Sequence, residues 1–368
     1  MRNRKQVICN DKVLAASGTE IINLDFSNPI SRLIIGLKGQ KGDTSNTNNP
    51  RIERYISKVE IVDGSDVLFS MSGTQMCALQ FYGLNGLPYH SITCHSYVDG
   101  NRIWASIFFG RDISDNEWAL DPKKFVNPQL KITYAFTIAA ANWTVNAQKL
   151  TVIAEVIENP STDPMGFLMS KQIYNWVSAV SGDETIDMPR DYLYRLIMLQ
   201  SYDCTTPIYG QIAKAKISCD IDRFVPLNED MRDIHYDNFA KYGMQIVNTE
   251  AIGDGATDPL KLYHPFWHSY GGDMNSWAGT ADVACENVYS GYNGAHDTAG
   301  GACGANERLN HNAHGLDYQA CDVIRFGNLR DVQEFLDPTS YQSVRLILTE
   351  TGAAALQNYV VIQQLRPY

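Results

Sequence analysis

The sequence predicts an all-β protein made of two similar sandwiches or barrels, and three observations support this. Segments with strand-like alternation recur along the chain, helices are few, and the second half repeats phrases of the first. Short strands that pair with distant parts of the chain are typical of β-sandwiches and β-barrels. The 368 residues also suit two domains, because one domain commonly has about 100–200 residues.

The clearest strand covers residues 130–138, with the sequence LKITYAFTI. Apolar side chains occupy every even position, whereas Lys131, Thr133 and Thr137 lie between them. A period of two with β-branched and aromatic residues indicates a half-buried strand. Similar patterns predict further strands at 21–26, 33–37, 58–62, 103–109, 149–157, 192–199, 213–219, 343–349 and 358–363.

The repeat consists of short phrases that return in the same order. KQVI at 5–8 returns as KQIY at 171–174, SGTEIINL at 17–24 as SGDETIDM at 181–188, RLII at 32–35 as RLIM at 195–198, ISKV at 56–59 as IAKA at 212–215, FYG at 81–83 as KYG at 241–243, and Asp121-Pro122 as Asp337-Pro338. A repeat of this length indicates two copies of one domain, since solenoid repeats are about 20–50 residues long.

We therefore expect an N-terminal domain of residues 1–160 and a C-terminal domain of residues 165–368. The segment between them, ENPSTDP at 158–164, has the prolines and polar residues of a short stiff linker. The second copy carries a loop insertion at about 248–322 that is rich in Gly, Ala, Asn and His. We expect this insertion to be ordered, because it contains large aromatic side chains at Trp267, Trp277, Tyr289 and Tyr292.

Two helices are predicted at matching places in the two copies. The first covers residues 72–82, where Ser72 begins a sequence with capping-box spacing. The second covers residues 228–242 and begins with an asparagine cap. A glycine that can end a helix stands at the last turn of each, at Gly83 and Gly243.

The composition excludes several classes of protein. The net charge of −11 makes the chain a poor binder of phosphate backbones, because such binding comes largely from Lys and Arg. We expect no signal peptide, and no stretch approaches the roughly 20 apolar residues of a membrane helix. The eight cysteines form no CxxC pair, which favours buried or free thiols in a reducing cytosol over a zinc or disulfide framework.

Histidines concentrate in the insertion, which makes it the place to look for a metal site. Pro265 interrupts the helical spacing of His264 and His268, and His311 and His314 lack a third ligand at an established spacing. A metal site therefore stays the weaker interpretation beside polar histidines that pack and hydrogen-bond. The sequence predicts no metal and no other cofactor.

No catalytic set is recognisable in the sequence. The glycine-rich stretch at 36–44, GLKGQKGDT, lacks the residue order of a phosphate-binding loop, and the G-x-S-x-G nucleophile motif is missing. We expect an exposed loop at 36–44 and a protein that is not an enzyme.

Two tandem β-sandwiches, matched helices, a large insertion in one copy and no catalytic set resemble one family. This family comprises the double jelly-roll major capsid proteins of tailless icosahedral bacteriophages with an internal lipid membrane. The resemblance extends over the whole chain and includes strand phrases such as DPKKF at 121–125 leading into NPQLKI at 127–132. It rests on architecture rather than on a signature motif.

The resemblance implies an eight-stranded antiparallel jelly roll in each half. It implies a homotrimer that forms a pseudo-hexameric capsomer of an icosahedral virion capsid, with the protein made in the host cytoplasm. The partners it implies are further copies of the chain, minor capsid or penton proteins and membrane proteins of the virion, without sequence-specific nucleic-acid binding. The insertion is expected to project outward, where Trp267, Trp277, Tyr289 and Tyr292 would make contacts between chains.

The resemblance also implies that the N-terminus faces inward, towards the membrane. Arg2, Arg4 and Lys5 form a small basic cluster there. Each charge near an anionic lipid surface contributes about 1 kcal/mol, so these residues are candidates for contact with headgroups. A frayed terminus without a partner is the alternative.

Two functions from other classes remain open. Some glycan amidases also consist of two jelly rolls, and such an enzyme would need acidic residues in the groove between its domains. A carbohydrate-binding surface protein would instead use the aromatic-rich insertion as its site.

Overall fold

The structure is a computed structural model that describes residues 2–40, 51–84, 86–91, 100–136, 143–144, 146–201, 207–243, 245–252, 308–328, 331–352 and 356–368, with short strand segments between 260 and 290. Side chains are described in the same ranges, except at residues 2, 84 and 245–317. In the first half the strands are β1 (Arg2–Val13), β2 (Ser17–Asn23), β3 (Ile30–Gly39), β4 (Ile56–Asp63), β5 (Asp66–Met71), β6 (Tyr89–Ser91), β7 (Asn101–Phe108), β8 (Pro128–Ala135) and β9 (Lys149–Glu158). Helix α1 (Gly73–Leu84) follows β5.

The second half has a matching set of elements and an insertion. Its own strands are β10 (Gly166–Val177), β11 (Ser181–Asp187), β12 (Leu193–Ser201), β13 (Ile212–Cys219) and β14 (Phe224–Asp230). The helices are α2 (Ile208–Gln211) and α3 (Met231–Tyr242). The insertion contains β15 (Gln245–Ile252), β16 (Leu260–Lys261), β17 (Phe266–Gly271), β18 (Met274–Asn275), β19 (Ala281–Asp282), β20 (Tyr289–Ser290) and β21 (Arg308–Tyr318). The chain then completes the second half with β22 (Cys321–Arg325), β23 (Val344–Thr351) and β24 (Gln357–Pro367).

Both halves have the same strand order. The first is built from β1-β9-β3-β7 and β2-β8-β4-β5, with β6 added beside β7, and the second from β10-β24-β12-β22 and β11-β23-β13-β14. This arrangement of eight strands in two facing sheets is a jelly roll. We call the two halves the first roll and the second roll. The predicted fold class, an all-β pair of tandem eight-stranded antiparallel jelly rolls with a short helix in each, is confirmed.

The two rolls share one sheet. Strands β5 and β10 run parallel and pair at Ser170–Phe69 and Lys171–Ser70, which joins β2-β8-β4-β5 and β10-β24-β12-β22 into a single eight-stranded sheet. We call this the central sheet. The outer sheet is β1-β9-β3-β7-β6, and the far sheet is β11-β23-β13-β14.

The hydrophobic core follows this layering. One cluster of buried residues fills the first roll and continues past α1 to the back of the second roll. Another fills the space between β10-β24-β12-β22 and the far sheet. The part of the central sheet that belongs to the second roll is therefore buried on both faces.

The repeated phrases lie in corresponding elements of the two rolls. The KQ phrases fall in β1 and β10, the SG phrases in β2 and β11, the RL phrases in β3 and β12, and the I-x-K phrases in β4 and β13. The repeated residues share an element but do not always share a face of the sheet. Leu33 lies inside the first roll, whereas its counterpart Leu196 packs on the outside of the second roll with α1, and Ile197 points inward instead. The β12–β24 pairing has a register shift between Tyr194 and Leu196, and a slip of one residue exchanges the faces of a strand.

The two Asp-Pro pairs also have corresponding roles. The Asp121 carboxylate accepts a hydrogen bond from the Lys123 N–H at 3.1 Å, just before β8. The Asp337 carboxylate accepts one from the Thr339 N–H at 2.9 Å, just before β23. Each aspartate therefore fixes the turn that leads into the same strand of its roll.

The helix predictions are correct in place and partly wrong in extent. Helix α1 has the predicted capping box, in which the Gln75 N–H bonds the Ser72 hydroxyl at 3.3 Å and the Ser72 N–H bonds the Gln75 side chain at 3.0 Å. It continues to Leu84, so Gly83 lies in its last turn and does not end it. The predicted start of the second helix at Asn228 is wrong, because Asn228 pairs with Lys216 in the β13–β14 ladder. Pairing within the far sheet outweighs the local capping signal there.

The insertion has more regular structure than a long loop. Its first and last strands pair antiparallel over eight residues, from Gln245–Gly315 to Ile252–Arg308. The sequence of β21, RLNHNAHGLDY, lacks the apolar alternation by which strands are recognised. At its end the insertion is shorter than expected, because Cys321 and Asp322 already belong to β22 and pair with β12.

Four of the eight cysteines lie in the described part of the chain. Cys9, Cys77, Cys219 and Cys321 are free thiols, and the other four lie outside the described residues. In the part of the chain that the structure describes, no helix is long and apolar enough to cross a membrane.

The capping box gives a direct test of how α1 is held. Ser72→Ala should lower the free energy of unfolding by about 1 kcal/mol, because the Gln75 N–H loses its hydroxyl partner. Urea denaturation of both proteins measures the difference. Ser65→Ala, in the exposed turn between β4 and β5, is the matched control and should have little effect. Equal losses in the two variants would contradict the assignment.

Candidate functional site

The described residues contain no group of three or more His, Cys, Asp and Glu side chains placed to hold a metal ion. His268 lies in β17, and His311 and His314 lie in β21. His264 and His296 lie outside the described residues. The described residues therefore contain no candidate metal centre.

The basic cluster at the N-terminus lies in a paired strand. Arg2, Arg4 and Lys5 belong to β1, where they pair with Glu158, Val156 and Glu155 of β9. The Arg4 guanidinium forms an ion pair with the Glu158 carboxylate at 2.6 Å, and Lys5 is exposed. The terminus is thus paired in a strand and not frayed, and the contact of these residues with headgroups stays a prediction.

The aromatic residues of the insertion are placed only in part. Trp267 lies in β17 and Tyr289 in β20, and the two short strands pair through His268 and Tyr289. Trp277 and Tyr292 lie outside the described residues. Their contact with other chains stays a prediction.

Polar side chains near the C-terminus form hydrogen bonds between the second roll and the first roll. The Arg366 guanidinium donates to the Asp66 carboxylate at 2.9 Å, and this hydrogen bond lowers the pKa of Asp66. The Tyr368 hydroxyl donates to the Ala119 carbonyl at 2.7 Å, and burial raises the pKa of that phenol well above its usual range. The last residues of the chain thus bind to the first roll.

Helix α1 covers the back of the second roll. Its residues Met76 and Phe81 share a buried cluster with Leu196, Met198 and Val361 of the central sheet. These residues are at most 3% exposed. Burying an apolar side chain of this size contributes about 1.5–3 kcal/mol, so this contact is a large part of what holds the rolls together.

Polar groups fix the position of α1 on that sheet. The Gln75 amide donates to the Gln172 amide oxygen at 2.9 Å, and the Arg195 guanidinium donates to the Gly83 carbonyl at 3.0 Å. Burial lowers the pKa of Arg195 to about 10, which leaves it charged at neutral pH. Buried polar groups cost free energy unless they are paired, so these contacts favour one placement of the helix.

A buried ion pair lies beside α1 in the first roll. The Arg51 guanidinium donates to the Glu53 carboxylate at 2.6 Å, and both side chains are 1% exposed. The His90 ring lies 3.3 Å from the same carboxylate, and the Gln319 amide donates to it at 3.3 Å. Burial alone would raise the pKa of Glu53, but Arg51 and His90 hold that pKa well below its usual range. The carboxylate therefore ties the chain that leaves the insertion to the first roll.

The back of the outer sheet is apolar and partly exposed, although Ile34 in its middle is only 2% exposed. Val7, Ile153 and Ile34 pair across three adjacent strands and form a row on the face that points away from the core. Trp104 extends this row, because its ring lies directly over the backbone of Gly36. The contact is so close that a Cβ atom added at Gly36 would come within 2.4 Å of the ring. Val7 is 56% exposed and Trp104 is 41% exposed. Apolar patches on a protein surface commonly mark a binding surface.

This row borders a shallow cleft of about 550 Å³. Tyr89 of β6 stands opposite Trp104 at one side of the cleft. An ion pair of Lys38 with Asp11, at 2.8 Å, lines another part of the cleft. We call the surface formed by Val7, Ile34, Tyr89, Trp104 and Ile153 the outer-sheet face.

Sequence reasoning missed the outer-sheet face, although one signal was present. In β7, NRIWASIF, the core-facing positions are Ile103, Ala105 and Ile107. Trp104 therefore stands at a position where a half-buried strand normally has a polar residue. An aromatic residue out of phase with its strand indicates a surface that contacts something else.

No family profile matches this sequence, and no curated protein matches it. Among solved structures, the MCP, or major capsid protein, of STIV, the Sulfolobus Turreted Icosahedral Virus, aligns with a TM-score of 0.62 at 10% identity, covering 100% of this chain and 98% of that one. The major capsid protein P2 from Bacteriophage PM2 aligns with a TM-score of 0.55 at 11% identity, covering 99% and 98%. PBCV-1 VP54, fitted into a reconstruction of the virophage Sputnik, aligns with a TM-score of 0.54 at 9% identity, covering 99% and 94%.

The chain has the double jelly-roll fold. The alignments cover both rolls and nearly the whole length of each capsid protein, so the pairing of the rolls is shared as well as the single roll. At identities of 9–11% the likeness concerns the fold.

Removing the buried carboxylate tests the ion pair beside α1. Glu53→Gln should lower the free energy of unfolding by about 3–5 kcal/mol at pH 7, because it takes a charged partner from the buried Arg51. Urea denaturation measures this loss. Glu158→Gln, which removes the carboxylate from the exposed pair with Arg4, should change stability little.

The same variant has a defined pH dependence. Because the pKa of Glu53 is lowered in the folded chain, its stabilisation is complete above the unfolded carboxyl pKa of about 4.3 and is lost as the pH falls below it. The stability difference between wild type and Glu53→Gln should therefore shrink below about pH 4. A difference that grows on acidification would contradict the charged state of Glu53.

Proposed function

We propose that this chain is the structural major capsid protein of an icosahedral virion. The observation that carries the proposal is the tandem pair of jelly rolls with one strand order, which aligns over 98% or more of the STIV and PM2 major capsid proteins. In this proposal the protein is located in the virion capsid and has a structural role, not an enzymatic one.

The assembly unit in this proposal is a homotrimer that forms a pseudo-hexameric capsomer. Two similar rolls in one chain convert threefold symmetry into a nearly sixfold outline, which lets one chain type fill an approximately hexagonal lattice. Contacts that join different surfaces of the copies form a ring when the rotation between copies closes, as a threefold rotation does. In this proposal the two domains are residues 1–160 and 165–368.

A structural role agrees with the chemistry of the described side chains. The buried carboxylates Glu53 and Asp322 are bonded to groups of the chain itself, Glu53 to Arg51 and Asp322 to Asn238 at 3.0 Å. Both therefore serve to hold elements together. We propose no cofactor and no catalytic residue.

The further partners are proposed from the capsid role. They are minor capsid or penton proteins and, in a virion with an internal membrane, membrane proteins and lipid headgroups. Lys5 is exposed on β1 and suits an inward contact with an anionic surface, whereas Arg4 already has Glu158 as its partner. The net charge of −11 argues against direct sequence-specific binding of nucleic acid.

The insertion is proposed to project outward and to contact neighbouring chains. It occurs only in the second roll, so a trimer would carry three copies around its axis. Its aromatic residues Trp267, Trp277, Tyr289 and Tyr292 are of the type that anchors protein interfaces.

Purified protein should form trimers and larger shells. Analytical ultracentrifugation is expected to show a species of three times the mass of the chain, and negative-stain microscopy should show particles with a nearly hexagonal outline. A protein that remains monomeric at all concentrations would overturn the capsid proposal.

Shortening the insertion tests its part in assembly. Ile252 and Arg308 are paired, so residues 253–307 can be replaced by a short Gly-Ser turn without opening the β15–β21 ladder. The shortened chain should fold with the circular dichroism of the wild type and form a weaker trimer by ultracentrifugation. Unchanged trimer affinity would show that the insertion serves outside partners only.

A further inference from the structure

Among the described residues, no sheet covers α3 in the way that the second roll covers α1. Helix α1 follows β5 and lies beside β7, and α3 follows β14 and lies beside β22. The Gln80 side chain of α1 accepts a hydrogen bond from the Ser106 N–H of β7 at 2.6 Å, and the Asn238 side chain of α3 donates to Asp322 of β22 at 3.0 Å. The other side of α1 is buried against the back of β10-β24-β12-β22.

The free side of α3 is exposed and aromatic. Tyr236 is 56% exposed and Phe239 is 44% exposed, and they are three residues apart on one side of the helix. The buried side of α3 holds Met231 and Ile234, which pack inside the second roll. In α1 both sides are covered, and Met76, Leu79 and Phe81 are all buried.

The outer-sheet face is the equivalent surface on the first roll. The sheets β1-β9-β3-β7 and β10-β24-β12-β22 have the same strand order. The back of the second sheet is covered by α1, which buries Met198 and Val361. The back of the first sheet carries Val7, Trp104 and Ile153 and the cleft beside them, and Val7 and Trp104 are exposed.

We infer that α3 of one copy docks on the outer-sheet face of the next copy, in the way that α1 docks on the second roll within a chain. Tyr236 and Phe239 would enter the cleft beside Trp104. The interaction is head-to-tail, since it joins two different surfaces, and its repetition closes a ring of alternating first and second rolls. It deepens the proposed capsid function and rests on it, because it names the surfaces through which the copies associate.

Charge makes a smaller contribution to this pairing. Asp233 is exposed on α3 next to Arg232, and Asp237 already forms an ion pair with Arg325 at 2.5 Å. Lys5 and Arg102, both exposed, stand on the outer sheet. Opposite charges at the rim of an interface favour correct encounter over wrong pairings.

Two sets of substitutions test the docking. The sheet variant is Val7→Asp with Tyr89→Asp, and the helix variant is Tyr236→Asp with Phe239→Asp. These side chains are 44–61% exposed, so each variant should fold with the circular dichroism of the wild type. Each alone should associate at least about tenfold more weakly than the wild type, because buried aromatic and apolar anchors dominate interfaces. The control is Ile21→Asp, at a strand residue of the first roll with the same 56% exposure as Val7, and it should assemble normally.

Mixing the two variants distinguishes head-to-tail docking from other contacts. The helix variant keeps an intact outer-sheet face, and the sheet variant keeps an intact α3, so a mixture has one working pair of surfaces. Ultracentrifugation of the mixture should show dimers of one chain of each kind and no trimers. A trimer affinity equal to that of the wild type in either variant alone would overturn the inference while leaving the capsid proposal intact, whereas a monomeric wild type would overturn the capsid proposal itself.

A photo-crosslink gives a second readout with nearly native surfaces. A photoreactive phenylalanine analogue in place of Tyr236 should crosslink to another chain, and mass spectrometry should place the crosslinks in β1, β7 or β9. The same analogue in place of Ile21 is the control and should give no crosslink to those strands. Crosslinks from position 236 that fall only in the second roll would overturn the inference, even if the Asp variants fail to fold.

Discussion

Burial of one sheet on both faces is the constraint on which the rest of this structure depends. Strand β12 is buried along nearly its whole length, with Ile197 and Leu199 turned to one side and Leu196 and Met198 to the other. A jelly roll needs only one covered face per sheet, so the second roll requires an additional layer. Helix α1 supplies it, and therefore the two rolls cannot be independent units linked by a flexible connection.

The fold was largely predictable because its signals are local and repeated. The alternation of apolar and polar residues predicts strands such as β8, and the repeated phrases predict two similar halves. The errors arose where the partner of a segment decides its structure. Asn228 has the chemistry of a helix cap, but the edge of β13 takes it into a strand. Strand β21 is held by its pairing with β15, although five of its eleven residues are Gly, Asn or His.

The candidate surfaces were less predictable, for a related reason. The sequence pointed to aromatic residues in the insertion, since they are conspicuous there. Trp104 lies in an ordinary-looking strand, and only the placement of Ile103 and Ala105 in the core shows that its ring is on the outside. Similarly, Arg51 and Glu53 look like solvated charges in sequence, yet they are buried together beside α1. Whether a side chain is covered depends on elements far away in the chain.

The sharing of α1 has a consequence for synthesis on the ribosome. The first roll emerges with α1 complete, but β24, which pairs with both β10 and β12, leaves the exit tunnel after all the other described strands. Until then Met76, Phe81 and their neighbours have no sheet to cover them. A nascent chain thus carries an apolar helix side that other nascent chains can bind. Chaperones that act before β24 is made would have to keep these incomplete chains apart.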